Sequence, residues 1–250
     1  MKKQSELEKI GGWHSVDALL EKRSEAIERL CLQAGREDKR AQALLAKAKR
    51  LGVTVQTLTR EAMAREAGEL RHQGVLAWAL PTVAGNQNDL DMLLDGLRKP
   101  PFLLILDGVE DPRNLGACLR SADAAGVDGV IIPRDRAASL SPAARKAAAG
   151  AAESVPLFAV SNLARCLRQL RDAGIWLVGL AGEGEGDLYQ ARLTGPLAIV
   201  MGAEGKGLRR LTREHCDELI RIPMLGTVES LNVSAAASVC LFEAVRQRQP

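Results

Sequence analysis

Fully apolar segments alternate with helical patterns through residues 99–250. The clearest are PFLLILDG (101–108), VDGVIIP (127–133), IWLVGLAG (175–182) and GPLAIVMG (195–202). Strands of this kind lack the polar–apolar alternation of a half-exposed sheet, so both of their faces must be covered. Strands that alternate with helices build a parallel sheet. The sequence therefore predicts an α/β fold in which a parallel sheet lies between helices, and on pattern alone an ordinary doubly wound sheet.

The chain divides into three parts by composition. Residues 8–80 hold a smaller α/β pattern, with a basic amphipathic helix in REDKRAQALLAKAKRLG. Residues 81–98, PTVAGNQNDLDMLLDGLR, begin polar and end in one short helical pattern, which is typical of a linker. We therefore predict an N-terminal domain at 8–80, a linker at 81–98 and a larger domain at 99–250.

Composition excludes several classes of protein. The start, MKKQSELEKIGGW, has no apolar core of a signal peptide, and no apolar run is long enough to cross a bilayer. The cysteines are odd in number and form no C-x-x-C pair, and the histidines share no ligand spacing. We therefore expect a cytoplasmic protein with no membrane association, no disulfide framework and no metal.

Aromatic residues make up 3% of the chain. Proteins that hold single-stranded nucleic acid by stacking need exposed aromatic rings. If this chain binds RNA, we expect it to recognise shape and phosphates, with a pocket for one nucleotide.

Glycine-bearing polar segments follow three of the predicted strands: GVEDPRNLGACLR (108–120), GAEGKGL (202–208) and MLGTVESLNVS (224–234). Ligands bind outside the carboxyl ends of the strands in an open parallel sheet, so these segments are candidates to line one pocket. Their candidate side chains are Asn114, Arg120, Glu204, Glu229, Ser230 and Asn232. Two interpretations of the third segment stay open: Ser230 or Asn232 caps the following helix, or these side chains face a ligand. The charged residues also fit surface ion pairs.

The sequence lacks the fingerprints of dinucleotide-binding, phosphate-binding and serine-hydrolase sites. AGEGEGDL (181–188) lacks the G-x-G-x-x-G spacing of a dinucleotide site, and GAEGKGL lacks both the spacing of a phosphate loop and its Ser or Thr after Lys206. No G-x-S-x-G is present for a serine hydrolase.

The three segments carry a resemblance. NLGACLR, VMGAEGKG and IPMLGTVESLNVSAAA are similar, in order, to the three signature motifs of the SpoU family of RNA 2′-O-ribose methyltransferases, within the SPOUT superfamily. GWHSVDALL, GREDKR and HQG extend the likeness to the first part of the chain. The longest stretches resemble the branch of the family that methylates a guanosine of 23S rRNA, in the peptidyl-transferase P loop.

This resemblance implies a fold, a cofactor and partners. The larger domain is expected to thread its C-terminal segment into a deep trefoil knot, against the general rule that chains are not knotted. The N-terminal domain is expected to be an L30e-like RNA-binding domain. S-adenosylmethionine is the implied cofactor, a homodimer the implied assembly, and 23S rRNA or a large-subunit precursor the implied substrate.

The resemblance also implies site residues. The catalytic set is Asn114, Arg120, Glu204, Ser230 and Asn232, and the cofactor-binding set is Gly202, Ile222 and Leu231. Arg120 is the hypothetical proton acceptor, or it orients a phosphate or water that accepts the proton. We favour orientation, because a neutral arginine is costly.

Other functions remain open. The same chemistry on tRNA or another rRNA site fits the motifs equally well. A non-catalytic rRNA-binding assembly factor is disfavoured by the intact motif residues, and an NAD-type oxidoreductase by the missing fingerprint.

Overall fold

A computed structural model of the chain describes residues 7–135 and 137–249, which fall into two compact units. The described part of the first unit is residues 7–83 together with Ala149–Ser154. The second unit takes the remaining described residues from 84 onward. The predicted linker, residues 81–98, is therefore divided at residue 83, and its helical part packs within the second unit.

The first unit is built on a four-stranded mixed sheet in the order β1-β4-β2-β3. Strand β4 pairs antiparallel with β1 and β2, and β2 pairs parallel with β3. Strand β1 was not predicted. The elements are β1 (Glu8–Gly11), α1 (Trp13–Arg23), a 3-10 turn (Ser24–Ala26), β2 (Ile27–Gln33), α2 (Lys39–Arg50), β3 (Val55–Leu58), α3 (Arg60–Ala67) and β4 (Val75–Ala79).

The second unit is built on a seven-stranded sheet in the order β7-β6-β5-β10-β8-β11-β9, with every recorded pair parallel. The predicted parallel α/β sheet is confirmed, whereas β7 and β9 were not predicted. The elements are α4 (Gln87–Gly96), β5 (Phe102–Asp107), α5 (Pro112–Ala124), β6 (Gly129–Pro133), α6 (Pro142–Ala148), α7 (Ala151–Ser154, which packs in the first unit), β7 (Leu157–Val160), α8 (Leu163–Asp172), β8 (Trp176–Leu180), β9 (Gly186–Asp187), β10 (Leu197–Gly202), α9 (Arg210–His215), β11 (Glu218–Arg221) and α10 (Val233–Arg248).

Helices cover both faces of the second sheet. On one face, Leu103 and Ile105 of β5 pack in a cluster with the apolar residues of α8. Successive strand residues point to opposite faces, so Leu104 and Leu106 face the other side, where α5 packs against α6 and α10. All six residues of β5 are buried, which explains its unbroken apolar pattern.

The alanine-rich sequence SPAARKAAAGAAE (141–153), with proline in its first turn, predicts a single helix, and this prediction is wrong. The segment forms α6 and α7, broken where Ala149 and Gly150 adopt positive φ angles of 51° and 104°. Helix α7 belongs to the first unit, where the Glu153 carboxylate accepts hydrogen bonds from Arg23 at 2.9 Å and Thr82 at 2.7 Å. The alanine-rich pattern does not reveal these hydrogen bonds, because the side chain that makes them, Glu153, comes after the break between the two helices.

Across the described residues, every helix is too short or too polar to serve as a bilayer-spanning segment.

Candidate active site

The site lies at the carboxyl edge of the second sheet. Strands β5 and β10 are parallel neighbours in a register that places Gly202 beside Asp107, so the segments that follow them leave the same edge side by side. Strand β11 is separated from β10 by β8. The third segment reaches the site through α10, which begins at Val233 directly after Asn232.

Three side chains, one from each predicted segment, form a hydrogen-bonded group that we call the amide–carboxylate cluster. Asn114 Nδ2 donates to Glu204 Oε2 at 3.2 Å. Asn232 Nδ2 donates to Asn114 Oδ1 at 3.1 Å and to Glu204 Oε1 at 3.3 Å. Each carboxylate oxygen of Glu204 thus accepts from a different segment, and this arrangement fixes the segments relative to one another.

Asn232 bears out the capping interpretation of the third segment, and its other polar atom bonds to the cluster. Its Oδ1 accepts from Ser234 N at 2.9 Å and from Ser234 Oγ at 2.6 Å, which caps α10. Its Nδ2 faces the cluster. One amide therefore caps the start of the helix with its oxygen and presents its nitrogen to the cluster.

Arg120 and Ser230 are not brought into the cluster. Both are exposed, and neither hydrogen-bonds to the cluster in the described part of the chain. Arg120 follows Asn114 by six residues on α5, which at about 3.6 residues per turn places it about 9 Å along the axis and about 120° around it. Within one chain, the guanidinium and the cluster therefore occupy different sides of the helix.

The turn that carries Glu204 is tight. Ala203 N donates to Gly207 O at 3.1 Å, and Gly207 N donates to Ala203 O at 2.9 Å. A Cβ at Gly202 would lie 2.1 Å from Gly207 C, so a side chain there is sterically impossible without opening the turn. The glycine pattern serves the close backbone approach that holds Glu204 at the tip.

The predicted cofactor residues lie along the same edge. Gly202 ends β10 and Ile222 directly follows β11, and both are half-buried. Leu231 precedes Asn232 and is 38% exposed. Ile222 and Leu231 thus present apolar side chains that solvent still reaches.

Asp107 is a site-supporting residue that sequence reasoning missed. It is fully buried, its Oδ2 accepts from Arg209 N at 3.0 Å, and its Oδ1 lies 3.5 Å from Arg209 Nε. A buried carboxylate needs such partners. The contact ties the segment after the 203–207 turn to the end of β5. A carboxylate that ends an otherwise apolar strand was the available signal.

Helix α5 is held by two further contacts that the sequence did not reveal. A Cβ at Gly116 would lie 2.2 Å from Ala144 O, so α5 and α6 touch through backbone. Ser121 Oγ and Ser238 Oγ share a hydrogen bond of 2.7 Å between α5 and α10. The helix that carries Asn114 is therefore fixed on two sides.

The cysteines do not supply a nucleophile. Burial raises the pKa of the thiols of Cys118, Cys166, Cys216 and Cys240 to about 12. Nearby Asp217 and Asp107 add to the effect at Cys216. All of the cysteines are free, and no group of three or more His, Cys, Asp or Glu residues suited to a metal ion is found among the described residues.

Comparison with known families matches both parts of the chain. Residues 101–242 match the SpoU rRNA Methylase family. Residues 9–80 match a domain described as RNA 2′-O ribose methyltransferase substrate binding. The first match contains the whole amide–carboxylate cluster.

Comparison with individual proteins gives full-length similarity. The chain is 56% identical over 241 residues to the 23S rRNA (guanosine-2′-O-)-methyltransferase RlmB of Escherichia coli K12, covering 96% of this chain and 99% of that protein. It is 56% identical over 245 residues to RlmB of Pseudomonas syringae pv. tomato, covering 98% and 97%. The crystal structure of the SpoU methyltransferase AviRb from Streptomyces viridochromogenes with AdoMet aligns with a TM-score of 0.76 at 26% identity, covering 98% of this chain and 91% of that one.

Proposed function

The chain belongs to the SpoU rRNA methylase family, and from that premise we propose how its residues carry out the reaction. The protein is an enzyme that uses S-adenosylmethionine to methylate the ribose 2′-OH of a guanosine in 23S rRNA. We propose that the target guanosine lies in the peptidyl-transferase P loop.

The amide–carboxylate cluster is the observation that carries the site assignment. Asn114, Glu204 and Asn232 come from three distant segments and meet through bonds of 3.1–3.3 Å at the carboxyl edge of the sheet. All three stay at least partly accessible, as groups that meet a substrate must. Each such hydrogen bond replaces hydrogen bonds to water and contributes only about 0.5–1.5 kcal/mol of net stability.

The edge residues fit the cofactor. An adenine ring needs apolar contacts and a few backbone hydrogen-bonding groups, which is the usual make-up of a cofactor site. Ile222 and Leu231 supply accessible apolar side chains, and Gly202 is a half-buried backbone position at the end of β10. In the proposal these three positions hold the cofactor, which supplies a methyl group already activated on a sulfonium.

In the proposal, the protein positions the ribose hydroxyl for the reaction and assists removal of its proton. With the methyl donor bound, these residues would have to align the ribose hydroxyl with the activated methyl group and allow the hydroxyl proton to leave. Arg120 orients a phosphate or a water that accepts this proton, since a guanidinium is almost never neutral. Asn114 and Glu204 position the nucleotide, and Ser230 and Asn232 hold the third segment and contact substrate or cofactor.

The finer features of the fold belong to the same proposal. The larger domain carries a deep trefoil knot formed by the C-terminal segment, and the smaller domain is an L30e-like unit that binds the RNA substrate. The match of residues 9–80 to a substrate-binding domain supports the second assignment. The contacts of α10 with α5 and β10, at the centre of the sheet order, support the first.

We also propose a cytoplasmic homodimer that needs no metal. Apolar side chains are exposed on α10 and the loop before it, among them Leu225 at 99%, Val228 at 60% and Phe242 at 48%. Exposed apolar residues grouped along one segment favour a protein–protein contact. The displacement of Arg120 from the cluster also supports active sites near the interface.

Ribose methylation of rRNA tests the proposed function in cells. In a strain that lacks this protein, one 2′-O-methylguanosine of the P loop should be absent from 23S rRNA and should return when the wild-type gene is supplied. A variant with Arg120→Ala should fail to restore it. An unchanged P loop with a lost modification in tRNA or elsewhere in rRNA would assign the same chemistry to another substrate. No lost modification would favour an assembly factor.

A further inference from the structure

Helix α8 exposes a row of three arginines. Arg165, Arg168 and Arg171 are exposed and spaced three residues apart. Residues three apart are neighbours on a helix surface, with about 5–6 Å between their Cβ atoms. The three therefore form one ridge of positive charge, while the opposite side of the helix is buried in the core through Leu163, Cys166, Leu167 and Leu170.

These arginines have no acidic partner within the described part of the chain. Some cations elsewhere are paired, as Arg210 is with Glu214 at 2.6 Å and Lys47 with Asp17 at 2.6 Å. Like charges at this helical spacing repel one another and destabilise the helix slightly. Because no carboxylate neutralises this row of arginines, the row is suited to bind a polyanion, whose negative charges would neutralise it.

The row begins at the edge of the sheet that carries the active site. Helix α8 follows β7, whose carboxyl end lies at that edge, and leads to β8 on the far side of β10. On its way it packs on β6, β5 and β10, as shown by the cluster that contains Ile131, Ile105 and Val200. Arg165 in the first turn is therefore nearest the edge, and Arg171 is furthest from it.

The row is also connected to the turn that carries Glu204. Helix α8 packs against α9, and α9 follows that turn directly. Lys206 in the turn is exposed and has no acidic partner among the described residues. Exposed positive charge is thus present both in the turn at the active site and on the helix that crosses the sheet on the side away from α5 and α10, with α9 between them.

We propose that Arg165, Arg168, Arg171 and Lys206 form a track that binds the phosphate backbone of 23S rRNA next to the target nucleotide. The inference rests on the proposed function for the identity of the polyanion. Guanidinium groups match phosphate oxygens with several fixed donors, and phosphate contacts position nucleic acid without reading its sequence. Such contacts agree with a chain that has 3% aromatic residues and little capacity for stacking.

The salt dependence of RNA binding tests the track. Each phosphate contact adds about 0.7–0.9 to the slope of log K against log salt, so Arg165→Gln, Arg168→Gln and Arg171→Gln together should lower the slope by about 2–3. The probe is unmodified 23S rRNA made by transcription. The KM for this RNA should rise, while kcat at saturating RNA and the affinity for S-adenosylmethionine stay unchanged.

A matched triple variant separates the effect of losing charge on α8 from the effect of lowering the total charge of the protein. Arg98→Gln, Lys146→Gln and Arg192→Gln remove the same number of exposed positive charges from positions outside α8. This control should keep the wild-type slope. Equal slopes for the two triple variants would overturn the track, as would weaker binding only to a ribosomal precursor, which would indicate a protein partner. If the wild-type protein transfers no methyl group to this RNA, the proposed function itself fails instead.

Discussion

Glu204 accepts hydrogen bonds from two other segments through its separate oxygens, and the proposed chemistry of the site depends on that arrangement. Asn114 donates to one oxygen and Asn232 to the other. Because a carboxylate is acceptor-only and each amide nitrogen is donor-only, the cluster is satisfied in one orientation of each side chain. These hydrogen bonds thereby fix the position of Glu204, which in the sequence resembles an ordinary surface glutamate.

Replacement of Glu204 by Gln should lower kcat for rRNA methylation by about 10- to 100-fold, since one oxygen becomes an NH2 that faces a donor and about 1.4–2.8 kcal/mol is lost. The measurement is single-turnover methyl transfer. Glu214→Gln, an exposed carboxylate on α9, is the control and should retain wild-type activity. Wild-type kcat in Glu204→Gln would show that the cluster has no catalytic role.

Arg120→Ala should reduce turnover by at least about 100-fold, the usual cost of losing a group that acts on the transition state. Binding of S-adenosylmethionine, measured by calorimetry, should be nearly unchanged, because Arg120 lies on α5 and is not among the residues proposed to hold the cofactor. Arg113→Ala, exposed in the first turn of the same helix, serves as the comparison. A parallel loss of cofactor binding and turnover would contradict this division of roles.

At the residue scale, the candidate positions followed from motif order, whereas their contacts did not. Asn114, Glu204 and Asn232 were identified as candidates and lie together. Ser230 and Arg120 were identified by the same reasoning and lie apart from them. A motif records which residues a site uses, and a single chain's geometry does not have to assemble all of them.

At the element scale, α5 depends on close backbone contact with α6. Gly116 sits in the middle of α5, where glycine is normally unfavourable by about 1 kcal/mol relative to alanine. Its contact with Ala144 explains why it is there. The same approach places Asn114, two residues earlier, in reach of the cluster.

Gly116→Ala should therefore destabilise the protein despite the higher helix propensity of alanine. Overpacking of this kind costs about 1–3 kcal/mol, and each kcal/mol lowers Tm by about 2–4 °C in a protein of this size. The control is Gly96→Ala at the end of α4, where an added Cβ meets nothing within 4 Å. Thermal unfolding of both variants tests whether the close contact between α5 and α6 is required. Equal Tm values would show that α5 and α6 tolerate separation.

Element prediction succeeded where a strand is fully buried and failed where a strand is short or at an edge. Strands β5 and β10 have unbroken apolar patterns because they lie inside the sheet. Strand β9 spans Gly186–Asp187 and β7 is a four-residue edge strand, so neither has a distinctive pattern. The break between α6 and α7 depends on contacts in another unit, which local periodicity does not contain.

At the scale of the whole molecule, the pKa values and the reactivity of the thiols depend on whether the core is folded. Burial raises the pKa of Cys118 and Cys240 to about 12 from an ordinary 9.0. Between these values the unfolded chain loses protons that the native chain keeps, so the native state binds more protons. Stability is therefore fully present below about pH 9 and falls as pH rises toward 12.

Thiol reactivity checks this picture directly. At pH 8 the native protein should react slowly with a thiol reagent, because its cysteines are mostly buried and protonated. Denaturation in guanidinium should expose them all, and unfolding measured from pH 8 to 11 should show declining stability. Rapid modification of several thiols in the native protein would contradict the packing described for both units.

Methyl transfer by the purified protein tests the central claim most directly. The assay combines wild-type protein, S-adenosylmethionine with a labelled methyl group, and unmodified 23S rRNA, followed by mass spectrometry of the digested RNA. The account predicts one labelled product, a 2′-O-methylguanosine in the P loop, and its loss with Arg120→Ala. Label on a base rather than a ribose, or no label in rRNA under conditions where the cofactor binds, would contradict it.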